Sequence, residues 1–267
     1  MIKRVAIIGA GNVATHLGNA LKNVGIEIVC ISSKHPENAA KLAEQTGAKS
    51  YGRVEDVSYD GADAIIVSVK DDSITDVLSQ LPQNNAILIH TSGGVPADIL
   101  AGKSERYGII YPLQTFTKNR ELDFSEIPLF IEAGDTATLD EIRELAESLS
   151  DTVTEADSTQ RRMLHVAAVF ACNFTNHLYD IASRIMEDAH LPYSMLHPLI
   201  RETAAKAIAM PPALAQTGPA VRGDKQVMDA HLAKIKDTKL KELYVALSES
   251  IHQSAIKREK DKNRNKQ

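Results

Sequence analysis

The stretch Arg4-Val-Ala-Ile-Ile-Gly9-Ala-Gly11-Asn-Val-Ala14-Thr-His-Leu-Gly18 decides the fold. Residues 5–8 form an apolar run that suits a strand buried on both faces and is short for a helix. Small residues follow in the pattern G-x-G-x-x-A, and Val13, Leu17, Ala20, Leu21 and Val24 then recur at helical spacing. Strand, tight turn and helix N-terminus in this order are the setting in which such a fingerprint binds a dinucleotide. Gly9 permits the sharp turn, Gly11 lets the backbone approach a pyrophosphate, and Ala14 keeps the helix close to the strand. Asn12 and Val13 open the helix, whose free N–H groups and positive dipole end favour an anion. An ordinary βα turn would need one glycine.

Outward from this stretch, 267 residues suffice for one large domain or two modest ones. Hydrophobic residues at 43% and charged residues at 24% are ordinary for a globular chain. A net charge of −5 gives no reason to expect nucleic acid or an acidic membrane as partner. Aromatics at 4%, with no Trp, leave little for base stacking. Cys30 and Cys172 lie in apolar runs without framework spacing, which fits a reducing, cytoplasmic compartment. Gly9, Gly11, Asn12 and His16 interrupt the first apolar run too early for a signal peptide. No stretch approaches the roughly 18 apolar residues of a membrane span.

Residues 27–31 read as the second strand, ending at Ser32-Ser33-Lys34. An NAD enzyme places an acid at this strand's end for the ribose 2′-hydroxyl. Here the nearest acid, Glu27, begins the strand, roughly 16 Å from the ribose end at about 3.3 Å per residue. The hydroxyls of Ser32 and Ser33 and the Lys34 ammonium suit a 2′-phosphate, so NADP is the expected cofactor; a plain polar βα loop is the rival reading of these residues. Residues 64–69 form the next buried strand and bring Val69 and Lys70 to the cofactor crevice outside the strand ends. Asp71 or Asp72 is expected to cap the following helix. Residues 86–90 deliver Thr91-Ser92-Gly93-Gly94, where Ser92 and Gly93 either present backbone N–H groups to a substrate anion or form a plain turn.

Strands are also expected over 107–111, 128–131 and 152–154, with helices over 38–45 and 138–149. Strands alternating with helices predict a doubly wound parallel sheet, a Rossmann domain over residues 1–155. From Ser158 the character changes, and no strand-like segment follows. A helix predicted from Ser158 to about Ala189 is apolar nearly all round between His165 and Leu178, so more than one neighbour must cover it. Helices over 194–210, 224–236 and 239–256 complete an all-helical domain, residues 156–256, expected to form a homodimer. Residues 257–267, with six Lys/Arg, are expected to be a solvated, disordered tail.

A hydride enzyme of this layout needs a proton donor near the nicotinamide. His165, early in the long helix, is the candidate, because imidazole exchanges protons near neutral pH. A core or interface histidine is the rival reading. On an uninterrupted helix Asn176, eleven residues on, shares the face of His165 within about 20°, and Asn173 borders it at about 80°. Arg222, in Thr217-Gly-Pro-Ala-Val-Arg222-Gly-Asp224, either binds a substrate carboxylate in bidentate fashion or pairs with an acid such as Asp224. Asp224 is expected to cap the next helix.

The glycine fingerprint, Ser-Ser-Lys, Thr-Ser-Gly-Gly, Tyr111-Pro-Leu-Gln-Thr-Phe116, His165-Val-Ala-Ala-Val-Phe-Ala-Cys-Asn-Phe and Thr217-Gly-Pro-Ala-Val-Arg-Gly-Asp together resemble one bacterial family. It comprises Rossmann-like proteins with a helical C-terminal domain of unknown function, described as NADP oxidoreductases. The resemblance runs from residue 1 to about 255. More distantly, the chain is similar to the pyrroline-5-carboxylate reductase, ketopantoate reductase and β-hydroxyacid dehydrogenase group. The latter two place a catalytic Lys early in the long helix and an Asn four residues later. His165 and Val169 stand at those positions here, so that mechanism does not transfer. The family also tends to carry His where this chain has Tyr111. The resemblance implies reduction of a small carbonyl or imine with NADPH and names no substrate. The missing Lys/Asn pair leaves a second reading open, a non-catalytic NADP-binding protein that acts through a protein partner.

Overall fold

Residues 4–8 occupy the middle of a sheet, as an uninterrupted apolar run requires. The computed structural model describes residues 1–59 and 61–264. Among these, eight strands form one sheet: β1 (Arg4–Ile8), β2 (Glu27–Ser32), β3 (Lys49–Tyr51), β4 (Ala64–Val67), β5 (Ile87–His90), β6 (Tyr107–Pro112), β7 (Leu129–Ala133) and β8 (Val153–Glu155). Their spatial order is β3-β2-β1-β4-β5-β6-β7-β8. Helices α1 (Asn12–Asn23), α2 (Pro36–Thr46), α3 (Ile74–Gln80) and α4 (Thr136–Leu149) connect them. Val5 and Ile7 pack in one layer with Leu17, Leu42 and Ile142, whereas Ala6 and Ile8 pack in the other with Leu78, Leu81 and Leu100. With both faces covered, every position of β1 after Arg4 is apolar. Each fully buried Ile or Leu contributes about 1.5–3 kcal/mol.

The order reverses at β1, whose neighbours are β2 and β4, so the switch point lies at the fingerprint turn. Two elements differ from the sequence expectation. β3 is a three-residue edge strand, Lys-Ser-Tyr, too short and polar to register as a pattern. β7 runs antiparallel to β6 rather than parallel. Residues 113–128 contain only a short 3₁₀ turn, and a parallel return needs a full crossover, usually a helix.

The chain divides into two compact units, Met1–Tyr179 and the residues from Asp180 onward. The first unit therefore keeps α5 (Ser158–Ala168), a π-helical stretch (Val169–Phe174) and the start of α6 (Thr175–Asp188) with the sheet. The expected boundary at 155/156 thus differs from this division, since Leu164 and Arg161 of α5 pack on sheet residues. The second unit contains α7 (His197–Ala209), α8 (Pro212–Ala215), α9 (Pro219–Arg222), α10 (Lys225–Lys234) and α11 (Thr238–Arg264). There Asp224 caps α10 as expected, accepting from Val227 N–H at 3.3 Å. His252 Nδ1 lies 3.1 Å from Ala220 O, tying α11 to α9. Residues 257–264 continue α11 instead of forming a disordered tail; extending an existing helix needs no new nucleus, and neither Gly nor Pro interrupts it. Residues 265–267 lie outside the described residues.

Candidate functional site

Gly9 has φ +112°, a conformation L side chains rarely adopt, and a Cβ there would run into the Ser68 carbonyl. Its N–H donates to Ser32 O at 2.7 Å, and Val69 Cγ1 lies 3.2 Å from the site of that absent Cβ. Gly11 differs: it is the N-cap of α1, carries no capping side chain, and its Cβ position has no neighbour within 4 Å. Above Gly11 there is open space next to a helix N-terminus, which fits a pyrophosphate. Ala14 is buried beneath, and Val13 is half-buried beside it. Asn12 serves a structural contact with its side chain, donating from Nδ2 to Phe116 O at 2.8 Å. His16 Nε2 lies 3.0 Å from Thr117 O, and its ring meets Phe116 at 5.2 Å. The segment after β6 is thereby bound to the start of α1, a contact the sequence reading missed.

At the end of β2 one expectation is corrected. Ser32 is 1% exposed and its hydroxyl lies beside the Tyr59 phenol, so it does not face a 2′-phosphate. The strand extends one residue further than read, to Ser32, and alternation turns Ser32 inward. Ser33 is half-buried and donates its N–H to Tyr51 O at 3.2 Å, while Lys34 is exposed. Since Ser32 pairs with Tyr51, the residues after β3 lie beside Ser33 and Lys34 and bring up Arg53, whose side chain is 72% exposed. The Arg53 guanidinium lies 3.6 Å from the Glu55 carboxylate. Arg53 was illegible because β3 was. Lys70, after β4, is exposed.

A second cluster forms where β5 and β6 end. His90 is fully buried, and burial pushes its imidazole down to about 4, so it is neutral. Its Nδ1 accepts from Ser92 N–H at 3.1 Å, and Nε2 faces Pro96 O at 3.3 Å. Ser92 Oγ accepts from Gly94 N–H and Val95 N–H at 3.1 and 3.0 Å, so this hydroxyl holds the turn. Asp71 does not cap α3, whose N-cap is Ser73 without a side-chain bond. Its carboxylate lies 3.2 Å from the Cβ position of Gly94. Tyr111 Oη is 3.1 Å from His165 Nδ1. Tyr111 is 9% exposed, and burial raises its phenol above the ordinary range. His165 itself is exposed.

α5 is fixed by a capping box, in which Asp157 accepts from Thr159 N–H and Gln160 N–H, each at 2.8 Å, and Gln160 accepts from Asp157 N–H at 3.0 Å. One turn before His165, Arg161 is fully buried. It is paired with Glu132 of β7 and donates to Val95 O at 2.7 Å. Ser158 donates to Glu132 at 2.9 Å and accepts from Ala97 N–H at 3.2 Å. This node locks α5 to the sheet and to the loop that carries Gly93. Asn173 and Asn176 are exposed. Between His165 and Asn176 the π-helical stretch advances each residue by less than an α-turn does, so the single face expected for them slips. Arg222 belongs to the second unit, at the C-terminal end of α9, and is exposed; among the described residues it has no ion pair, with Asp224 or another acid.

An open α/β sheet with a glycine-rich turn at its switch point, followed by helices, defines a dinucleotide-binding oxidoreductase class. Residues 4–94 match the family model "NADP oxidoreductase coenzyme F420-dependent", and residues 127–251 match DUF2520, a domain of unknown function. BF3122 of Bacteroides fragilis, an NADP oxidoreductase by assignment, is 40% identical over 94% of this chain and 98% of its own, with a TM-score of 0.87. TM1727 of Thermotoga maritima is 25% identical over 94% of this chain and 99% of its own, with a TM-score of 0.79. An imine reductase from Myxococcus stipitatus, solved with NADP+, shares the fold at 15% identity over 97% of this chain and 94% of its own, with a TM-score of 0.64. No curated protein matches the chain. The chain belongs to the NADP oxidoreductase family that joins this nucleotide-binding domain to DUF2520, and its cofactor is NADP. Among the described residues no helix is long and apolar enough to cross a membrane.

Proposed function

We propose that the protein reduces a small carbonyl or imine with NADPH, and that His165 donates the proton. The observation that carries this reading is His165 at the C-terminal ends of β5 and β6, with Nδ1 engaged by a buried phenol and Nε2 left for a ligand. Gly9, Gly11 and the first N–H groups of α1 would hold the pyrophosphate, Val69 and Lys70 would line the crevice, and Ser33, Lys34 and Arg53 would receive the 2′-phosphate. When bound, the dihydronicotinamide supplies the hydride. His165 protonates the oxygen or nitrogen that gains negative charge as the substrate is reduced. Gly93, together with the turn that Ser92 holds, borders the substrate. Asn173, Asn176 and Arg222 are the further candidates for substrate binding, the last for a carboxylate.

His165→Ala is expected to lose about 10²-fold or more in turnover while binding NADPH as tightly as the parent. A panel of keto acids, imines and aldehydes with NADPH checks this. Unchanged turnover in the variant reduces His165 to a packing residue. A panel without turnover favours the second reading, an NADP-binding protein acting through a protein partner, which the absent Lys/Asn pair supports.

The protein is also proposed to be a cytoplasmic homodimer. Two free thiols, Cys30 and Cys172, support the compartment. In the second unit the buried apolar residues are only Ile181 and Ala220 among the described ones, while Leu199, Ile208 and Leu214 are 63%, 88% and 61% exposed. Such a unit lacks a core of its own size and gains one from a second copy. Light scattering at micromolar concentration is expected to give twice the chain mass of 29.1 kDa, and a monomer mass contradicts it.

A further inference from the structure

We propose that Tyr111 is a positioning residue for His165, holding the imidazole by Nδ1 so that protons leave and return only through Nε2. This inference rests on the reading of His165 as proton donor. The two rings meet edge-on, with centroids 6.1 Å apart and planes at 71°, and the Oη–Nδ1 contact is 3.1 Å. Tyr111 is itself immobilised, buried at the end of β6 with Phe130 of β7 6.5 Å from its ring. The imidazole, by contrast, is exposed, and no other hydrogen bond of its ring is found among the described residues. The phenol therefore sets its orientation.

The glycine at position 93 is a second, independent observation. Gly93 does not have a positive φ, so the backbone does not require glycine there. Space does: a Cβ on residue 93 would lie 2.7 Å from Tyr111 Cζ and 3.0 Å from His165 Nδ1. Any side chain at 93 would push the pair apart. The loop after β5, the end of β6 and the first turns of α5 are thus shaped around one contact, and the Arg161–Glu132–Ser158 node ties the loop and α5 to β7, the strand paired with β6.

Tyr111 Oη occupies Nδ1, so Nε2 is the nitrogen left to exchange a proton with a ligand. In the imidazolium, Nδ1–H donates to Tyr111 Oη, and Nε2–H is the bond that breaks as the substrate's O–H or N–H bond forms. The product is neutral imidazole in the Nδ1–H tautomer, with its bond to Oη intact, and water returns a proton to Nε2. The phenol keeps its own proton throughout, as its burial favours. With Oη accepting from Nδ1–H, the tautomer at the other nitrogen follows.

¹⁵N NMR of histidine-labelled full-length protein, with His165→Ala to assign the resonance, tests this without any turnover. At alkaline pH, where imidazole is neutral, the parent is expected to show His165 as the Nδ1–H tautomer. Tyr111→Phe, which removes one oxygen, should shift it to a mixture dominated by Nε2–H, the form preferred by a free histidine side chain. Gly93→Ala, which keeps the phenol but separates the pair, should do the same. An Nε2–H tautomer in the parent, or an unchanged Nδ1–H tautomer in Tyr111→Phe, overturns the proposal. With any substrate that the panel yields, Tyr111→Phe should lower kcat about 10- to 100-fold at unchanged KM and NADPH affinity. Adding it to His165→Ala should change nothing further, whereas an additional loss would mean that Tyr111 acts on its own. A tautomer shift in a protein that reduces nothing would sink the reductase reading and leave the positioning role standing.

Discussion

Gly11→Asp is expected to abolish NADPH binding, by about a thousandfold or more, while leaving the protein at least as stable as the parent. The Cβ position of Gly11 is open to 4 Å, and its backbone, at φ −79° and ψ −169°, accepts any residue, so nothing in the folded chain opposes a side chain. Aspartate is moreover a good N-cap, and a carboxylate at this terminus favours α1 by about 1 kcal/mol. The same carboxylate occupies the approach of the pyrophosphate and repels it. Juxtaposed like charges cost several kcal/mol, and about 4 kcal/mol corresponds to a thousandfold. Gly9→Ala should behave in the opposite way, destabilising the fold, because the new methyl meets the Ser68 carbonyl. Titration of NADPH by calorimetry beside thermal melts separates the two glycines. Retained binding in Gly11→Asp would mean that the dinucleotide does not lie over this turn.

Glu132→Ala is expected to lower stability by about 3 kcal/mol. It leaves the Arg161 guanidinium, fully buried, without its carboxylate, and removes the acceptor of the Ser158 hydroxyl. Breaking one partner out of a buried pair costs about 3–5 kcal/mol, and the lower end applies because the Glu132 side chain keeps 21% of its surface exposed. Against a total of about 5–15 kcal/mol the loss is large. Urea unfolding followed by far-UV circular dichroism measures it, and a change under about 1 kcal/mol would reduce the node to a surface pair. Because the node anchors the loop of Gly93 as well as α5, the folded fraction of the variant should also lose the fixed tautomer of His165.

The sheet was legible because its rules are local. An apolar run of four, two glycines and an amphipathic helix follow from burial on both faces, the φ of a tight turn and a helix dipole, all within residues 4–23. NADP as cofactor was legible for the same reason, from the absence of an acid after β2. The failures are local patterns that a neighbour overrules. Ser32 is buried because β2 runs one residue further than its apolar run, where it pairs with β3, and β3 is too short to announce itself. Asn176 slips off the face of His165 because the chain makes a wide turn at Val169–Phe174.

The candidate site divides along the same line. His165, Gly93 and Arg222 could be singled out from residue type and position in the chain. What Tyr111, Gly93 and Glu132 do could not, because their partners are distant: Tyr111 meets His165 across 54 residues, and Arg161 meets Glu132 across 29. By itself the sequence determined most of the strands and helices, β3 and residues 257–264 excepted, and that a dinucleotide turn opens the chain, since those depend on periodicity and backbone geometry within a few residues. Only the tertiary structure decided that a phenol holds the imidazole and a buried guanidinium holds the helix beneath it. Such contacts are set by which strand ends the sheet order brings side by side, and no spacing along one chain encodes that.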